Sequence, residues 1–176
     1  SEFITDEVLK KAGIKPVVEF SPSHIQDPDL VITTGAHGGY DNPEVIAAKS
    51  LGIEVWTQGQ AVGEFMKGDI FERVFDGISV SGSHGKTTTT AMLAVILKEC
   101  RLDPTFLVGT GNITYLNSCG HFGKGKYFVA EADEYASEPK YDKTPKLLWQ
   151  KPHIAVITNI ELDHPDLYDN IEDLKK

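Results

Sequence analysis

The most constraining feature of the sequence is the stretch from Ser79 to Leu97, where a strand pattern passes into a helix pattern through a loop that contains glycine. The residues up to Val80 predict the end of a buried strand, and residues 91–97 predict a helix that is apolar on all sides. The loop between them reads Gly82-Ser83-His84-Gly85-Lys86-Thr87-Thr88. Strand, glycine loop, Lys-Thr and helix in this order are typical of a phosphate-binding loop.

Each residue type in this loop has a chemical use. Glycines let the backbone turn tightly and approach an anion, so that N–H groups and the positive end of the helix converge on phosphate oxygens. We expect residues 82–88 to bind nucleotide, with Lys86 on the terminal phosphates and the Thr87 hydroxyl on magnesium. The longer form of the motif has glycine where this chain has Val80, so the loop is the shorter variant. The alternative is an exposed loop with an ordinary helix cap.

Composition excludes some classes of partner. The chain has 17 Lys and Arg against 26 Asp and Glu, a formal charge of -9, which argues against general nucleic-acid binding through a basic face. No apolar run reaches the roughly 20 residues of a membrane span, and the N-terminus does not look like a signal peptide. Two cysteines, Cys100 and Cys119, do not make a disulfide framework. We therefore expect a cytoplasmic protein with neither nucleic-acid nor membrane partners.

Hydrophobic patterning predicts an α/β fold throughout, because helix and strand signals alternate. In the first part of the chain we predict helices over 5–12, 43–51 and 60–67, and strands over 17–20, 29–34 and 53–56. After the glycine loop we predict strands over 105–108, 126–132 and 153–158, and a helix from 171. Residues 109–125 give no clear pattern.

A second glycine-rich loop, residues 35–41, follows the predicted strand 29–34. Ligands of open α/β sheets bind beyond the carboxyl ends of strands, so His37 and Asn42 are candidate substrate-binding residues. Asn42 also precedes Pro43 as a helix cap followed by proline. A surface loop that simply needs flexible glycines explains the same residues equally well.

Two acidic clusters follow later strands, and parallel strands place their carboxyl ends at one sheet edge. One is Glu131-Ala132-Asp133-Glu134, and the other runs from Asn159 to Asp166 and includes His164 before Pro165. Oxygen ligands with one imidazole suit magnesium or manganese. Taken alone, each cluster reads as a solvated turn; beside a bound triphosphate, acidic groups need a cation between them and the phosphates.

Four segments together resemble the Mur ligases of peptidoglycan synthesis. They are GSHGKTTTTAM, LDPTF, VAEADE and TNIELDHPDLY, in the family's order and at similar spacing. The resemblance covers nearly the whole chain and is strongest over 77–172. Within the family it is strongest to the branch that joins L-alanine to UDP-N-acetylmuramate, and next to the branch that attaches a peptide to the same sugar.

The resemblance implies a three-domain enzyme that uses ATP and Mg²⁺. Residues 1–75 would form a partial Rossmann-like domain for the UDP-sugar, and residues 76–176 a partial phosphate-loop ATPase domain. In the family, ATP phosphorylates the substrate carboxylate, and an amine attacks the acyl phosphate to give an amide. By position, Lys86 and His164 would be catalytic, Thr87 and Glu131 would hold one magnesium, and His164 would hold a second. Asn159 would orient ligands nearby.

The resemblance also implies missing parts. The family's first strand and glycine fingerprint would precede Ser1, and the chain stops inside the expected central domain. We therefore expect a fragment that does not turn over alone. Two other hypotheses stay open: a nucleotide-binding module without ligase activity, and an α/β domain whose glycine loop is structural. The sequence leaves the added amino acid and the oligomeric state undecided.

Overall fold

The computed structural model describes residues 6–111, 113–162 and 164–175. Two of its sheets contain parallel strands. The first contains strands β1 and β2, which pair in parallel with Leu30 opposite Glu54. The elements of this part, in chain order, are α1 (Asp6–Lys11), β1 (Leu30–Thr33), α2 (Pro43–Ser50), β2 (Glu54–Thr57) and α3 (Gln58–Lys67). Short 3-10 turns lie at Pro22–His24, Gly39–Asp41 and Asp69–Phe71.

Local signals set the limits of these helices. Asn42 caps α2 by accepting a 2.9 Å hydrogen bond from the Glu44 N–H, and Pro43 takes the first helical position. Thr57 caps α3, and Gly68 ends it in the left-handed conformation at φ +87°. The predicted cap of α1 at Thr5 lies outside the described residues.

The predicted strand over 17–20 is wrong. These residues form no strand, and Val17 and Val18 are 67% and 74% exposed. Their β-branched side chains favour extended backbone, but no neighbouring strand pairs with them in the described structure. A strand needs a partner for its backbone hydrogen bonds, and pattern alone does not supply one.

The second sheet has five strands in the order β5-β4-β6-β3-β9. Its members are β3 (Asp76–Ser81), β4 (Thr105–Leu107), β5 (Gly120–His121), β6 (Tyr127–Glu131) and β9 (Ile154–Ile157). Strands β4, β6, β3 and β9 run parallel, and β5 is antiparallel to β4. Strand β3 lies between β6 and β9, which explains why Val80 is fully buried.

Helix α4 (Lys86–Glu99) follows β3 and covers the sheet through Ala94, which packs in one core cluster with Ile78 and Val129. The helix is apolar on all sides, as its sequence indicates, but it is not buried on all sides. Met92 and Ile96 are 58% and 53% exposed, because α4 turns only one face toward the sheet and the described elements do not cover the other. No helix in the described part of the chain is long and apolar enough to cross a bilayer.

A hairpin and a short helix lie between β6 and β9 and were not predicted from the sequence. They are β7 (Ala136–Glu138), β8 (Asp142–Pro145) and α5 (Lys146–Gln150), and α6 (Ile171–Leu174) closes the described chain. The hairpin contacts the glycine-rich loop of residues 35–41, since Asp41 accepts hydrogen bonds from Lys140 at 2.5 Å and from the Tyr141 hydroxyl at 2.6 Å. Helix α3 packs against α5, where Gly63 lies directly on the backbone of Trp149.

Candidate functional site

The glycine loop lies at the carboxyl end of β3 and leads into α4. Gly82 and Gly85 have φ values of +124° and +80°, which side-chain-bearing residues rarely adopt. A Cβ atom at Gly82 would lie 2.7 Å from the Asn159 carbonyl oxygen, so only glycine permits this close approach to the end of β9. The tight turn that these glycines predict is therefore present in the structure.

Hydrogen bonds tie the loop to the residues after β9. The His84 N–H donates to Asn159 Oδ1 at 2.8 Å, and the Thr158 hydroxyl donates to the His84 carbonyl at 2.5 Å. The Ser83 hydroxyl donates to the Glu161 carbonyl and accepts from the Glu161 N–H, both at 3.0 Å. These contacts bridge about 75 residues of sequence and fix the loop against a second strand end.

The end of a third strand, β6, is joined to the start of α4 by a contact between Thr87 and Glu131. The Thr87 hydroxyl donates a 3.0 Å hydrogen bond to Glu131 Oε2, at the end of β6. The other carboxylate oxygen of Glu131 accepts from the Gly109 N–H at 2.6 Å. Glu131 is thereby held from two sides, with its carboxylate beside the first turn of α4.

Lys86 points back over the loop toward the β6 cluster. Its ammonium donates to the Gly82 carbonyl at 2.6 Å and lies 3.4 Å from both Asp133 Oδ1 and Glu134 Oε2. Asp133 has a nearer cation, because Lys146 hydrogen bonds to it at 2.9 Å. Burial raises the pKa of Asp133, but the hydrogen bond and charge of Lys146, joined by Lys86, outweigh burial, and the net pKa lies below its ordinary value.

Glu134 separates Lys86 from His164. Its side chain is only 10% exposed, and Oε1 lies 3.6 Å from His164 Nε2. That distance is too long for a hydrogen bond, and within the described structure Oε1 has no hydrogen-bond partner. The imidazole of His164 also packs on the ring of Tyr135, with centroids 4.6 Å apart. Burial, then the nearby Glu134 carboxylate, raises the pKa of Tyr168, whose hydroxyl donates to the Glu134 carbonyl at 2.7 Å.

Most of the residues predicted from separate motifs surround this loop. Gly82, Ser83, His84 and Gly85 form it, Asn159 and Glu131 bond to it or to α4, and Lys86 and His164 meet through Glu134. Thr88 follows on α4 and is exposed. Asp163, in the same cluster as His164, lies outside the described residues.

The other two predicted site residues are His37, on the glycine-rich loop of residues 35–41, and Asn42, directly after that loop. Both polar ends of the Asn42 side chain are engaged within the chain, since Oδ1 caps α2 and Nδ2 donates to the His37 carbonyl at 3.1 Å. Asn42 therefore shapes the loop. His37 adopts a left-handed backbone with φ +54°, and its exposed ring lies 5.8 Å from that of Phe20.

The residues beside the loop suit magnesium. The described chain has no group of three or more His, Cys, Asp or Glu side chains placed to hold a metal. Magnesium, however, is usually bound by one or two protein oxygens and completed by phosphate and water. The adjacent hydroxyl of Thr87 and carboxylate of Glu131 are such oxygens. The donor set therefore fits Mg²⁺.

Sequence reasoning missed two side chains of this site. Glu134 was visible in the acidic cluster, but nothing in the sequence distinguished it from its neighbours. Gln150 is 2% exposed on α5 and gave no signal. It accepts a short hydrogen bond from the Ser79 hydroxyl and donates to the Glu131 carbonyl at 2.8 Å, so it joins β3 to β6 below the site.

A cavity of about 430 Å³ opens beside the loop. Its polar wall includes Ser81, Ser83 and Asn159, and its apolar wall includes Leu147 and Ile157. The cavity thus continues from the end of β3 toward α5.

Comparison with known proteins places this geometry in a family. Residues 80–176 match the model of the Mur ligase middle domain. The chain is 41% identical over 167 residues to UDP-N-acetylmuramate–L-alanine ligase of Acetivibrio thermocellus, covering 95% of this chain and 32% of that protein. It is 39% identical over 164 residues to the enzyme of that name from Laribacter hongkongensis, covering 93% and 32%. The chain spans about a third of the length of these curated relatives.

Solved structures show a similar fold. UDP-N-acetylmuramate–alanine ligase from Thermotoga maritima has a TM-score of 0.76 at 31% identity, over 97% of this chain and 36% of that one. UDP-N-acetylmuramate:L-alanyl-gamma-D-glutamyl-meso-diaminopimelate ligase from Neisseria meningitides has a TM-score of 0.75 at 26% identity, over 96% and 53%. With the middle-domain match extending over more than half of its residues, the chain belongs to the Mur ligase family.

Proposed function

We propose that the chain is part of an ATP-dependent ligase that joins L-alanine to the carboxylate of UDP-N-acetylmuramate in peptidoglycan precursor synthesis. The names of its relatives support this substrate pair. In this proposal, residues 76–176 form a phosphate-loop ATPase domain, and residues 1–75 form a Rossmann-like domain for the UDP-sugar. We also propose a cytoplasmic location.

The convergence of three strand ends on one glycine loop carries the proposal. Thr87 and Glu131 are 44 residues apart in sequence, and His84 and Asn159 are 75 apart, yet both pairs are hydrogen bonded. A loop with a purely structural role needs neither a half-buried lysine nor acidic side chains around it. A bound nucleotide and its cation need both.

The loop and Lys86 would handle the phosphates. The N–H groups of the first turn of α4 would bind phosphate oxygens, as helix N-termini do. Lys86 now donates to the Gly82 carbonyl, within the same loop, and a change of rotamer would bring its ammonium onto a transferring phosphoryl group. There it would stabilise charge that develops as the phosphoryl group moves to the sugar-acid carboxylate.

Magnesium, when bound, would neutralise phosphate charge and hold the terminal phosphates in line. Thr87 and Glu131 would hold one ion, and His164 would contact a second. Gln150 and Gly109 would keep Glu131 in place through their hydrogen bonds to its carbonyl and carboxylate. On the loop of residues 35–41, His37 would present its imidazole to the UDP-sugar, while Asn42 would fix that loop through its hydrogen bond to the His37 carbonyl.

The experiment is phosphate release by the protein that contains this chain. We expect release to require both UDP-N-acetylmuramate and L-alanine, and to fall by roughly 100-fold or more in Lys86→Ala and His164→Ala. Release that is indifferent to the sugar acid would contradict the proposal. If the protein binds nucleotide but releases no phosphate under any condition, it is a binding module instead.

A second candidate is a ligase that attaches a peptide to UDP-N-acetylmuramate. The similarity to the Neisseria ligase supports it. The two candidates share every residue role given above and differ in the acceptor amine. Replacing L-alanine with the tripeptide L-alanyl-gamma-D-glutamyl-meso-diaminopimelate in the same assay separates them, since only the cognate amine will support phosphate release.

A further inference from the structure

Glu134 lies between Lys86 and His164, and its carboxylate is close to both side chains. Its Oε2 lies 3.4 Å from the Lys86 ammonium, and its Oε1 lies 3.6 Å from His164 Nε2. The carboxylate is 10% exposed, and Lys86 is 16% exposed. An ion pair this well shielded from water is screened less than a surface pair, so the position of each partner depends on the other.

The two carboxylates near Lys86 are not equivalent. Asp133 has Lys146 as a hydrogen-bonded cation at 2.9 Å and keeps it if Lys86 moves away. In the described structure Glu134 has contacts with only Lys86 and His164 to compensate its charge. Moving Lys86 onto a phosphate would leave a buried carboxylate without its cation, which is costly unless another donor replaces it.

The replacement donor is already in place. Oε1 of Glu134 has no hydrogen bond in the described part of the chain, and His164 Nε2 is the nearest imidazole nitrogen to it. The gap of 3.6 Å exceeds a hydrogen bond by only a few tenths of an ångström. The Tyr168 hydroxyl holds the Glu134 backbone, so closing the gap would fall to the Glu134 and His164 side chains.

We propose that Glu134 is a positioning residue that exchanges partners: it restrains Lys86 in the nucleotide-free chain and hydrogen bonds to His164 when Lys86 moves to a bound triphosphate. The idea rests on the proposed function. It makes the loop selective for ligands that bring enough negative charge to draw Lys86 away. Bound triphosphate and Glu134 then compete for one ammonium.

Binding of inorganic tripolyphosphate to the 176-residue chain, with chelator present to remove metal, tests the competition. Glu134→Gln keeps the shape of the side chain and removes its charge, so we expect about three- to tenfold tighter binding than in the unaltered chain. Asp133→Asn is the matched control, since it removes a carboxylate at the same 3.4 Å from Lys86 but one that Lys146 already compensates. Equal effects of the two variants, or none from Glu134→Gln, would overturn the proposal.

A second measurement does not depend on nucleotide binding. Acetylation of Lys86 by acetic anhydride, followed by mass spectrometry, reports how firmly its ammonium is held. We expect Lys86 to react about threefold faster or more in Glu134→Gln, with Lys146 unchanged. If tripolyphosphate does not bind at all, the proposed function fails, while the labelling still decides whether Glu134 restrains Lys86. Unchanged labelling in a folded Glu134→Gln variant contradicts the restraint.

The exchange with His164 is tested by a double-mutant cycle on the same binding assay. We expect His164→Gln to weaken tripolyphosphate binding more in the unaltered chain than in the Glu134→Gln background, where no buried charge needs a new partner. Equal losses in both backgrounds would contradict the exchange. If Glu134→Gln does not fold, Glu134→Asp withdraws the carboxylate by one methylene, and we expect an intermediate gain in labelling; no gain counts against the proposal.

Discussion

The Thr87 hydroxyl donates a 3.0 Å hydrogen bond to the Glu131 carboxylate, which joins the first turn of α4 to the end of β6. Neither residue needs the other for helix or strand formation. In the proposed function, their contact provides a hydroxyl and a carboxylate oxygen for the cation of a bound nucleotide.

Glu131→Gln should weaken the dependence of ATP binding on magnesium. The amide keeps an oxygen for the Gly109 N–H but loses the negative charge that attracts the cation. We expect the increase in ATP affinity that magnesium produces to be about ten- to 100-fold smaller in this variant. Calorimetry with and without the metal measures it. Asp76→Asn, which removes a paired carboxylate at the opposite end of β3, should leave that effect unchanged. A magnesium effect of full size in Glu131→Gln would contradict this role.

Gly82→Ala should destabilise the chain more than Gly85→Ala. The new Cβ at Gly82 would meet the backbone of Asn159 as well as the strain of φ +124°, whereas at Gly85 the nearest atom is 4.0 Å away. We expect losses in unfolding free energy of about 2–4 kcal/mol for Gly82→Ala and about 1–2 kcal/mol for Gly85→Ala. Urea denaturation measures both. Equal losses would mean that backbone strain alone, and not contact with β9, sets the cost.

The residues also show how much sequence reasoning can reach. The apolar run before Gly35 and the Asn42-Pro43 cap act over a few residues, so β1 and α2 were predictable. The glycine loop carried its own strand and helix signals. Strand 17–20 failed because pairing depends on residues far away in sequence. Glu134 and Gln150 act through partners 48 and 71 residues distant, which no local pattern encodes.

Gln150→Leu should lower the free energy of unfolding, because the Gln150 side chain is buried and hydrogen bonded. It would leave the Ser79 hydroxyl and the Glu131 carbonyl without their buried partner. We expect a loss of about 2–4 kcal/mol in unfolding free energy. Ser79→Ala should cost about 1 kcal/mol, and the double variant less than the sum, because the hydroxyl is then absent. Additive losses would show that the two side chains do not stabilise each other.

Asp133 predicts a dependence of stability on acid pH. Burial raises its pKa, but Lys146 and Lys86 together bring the net value below the ordinary 3.8. The folded chain therefore resists protonation of this group, so its stabilising contribution is complete above pH 3.8 and is lost as the pH falls through the lower folded pKa. Denaturation of wild type and Asp133→Asn between about pH 5 and pH 2 should show the stability difference shrinking. A difference that stays constant or grows on acidification would contradict the pairing.

In the proposed function, the ends of β3, β6 and β9 meet on one nucleotide. Hydrogen–deuterium exchange of the protein that contains this chain, with and without magnesium and ATP, measures whether they do. We predict slower exchange in three segments at once, residues 82–88, 131–134 and 158–161, and loss of all three effects in Lys86→Ala. Protection confined to the glycine loop, or none in these segments, would contradict the claim.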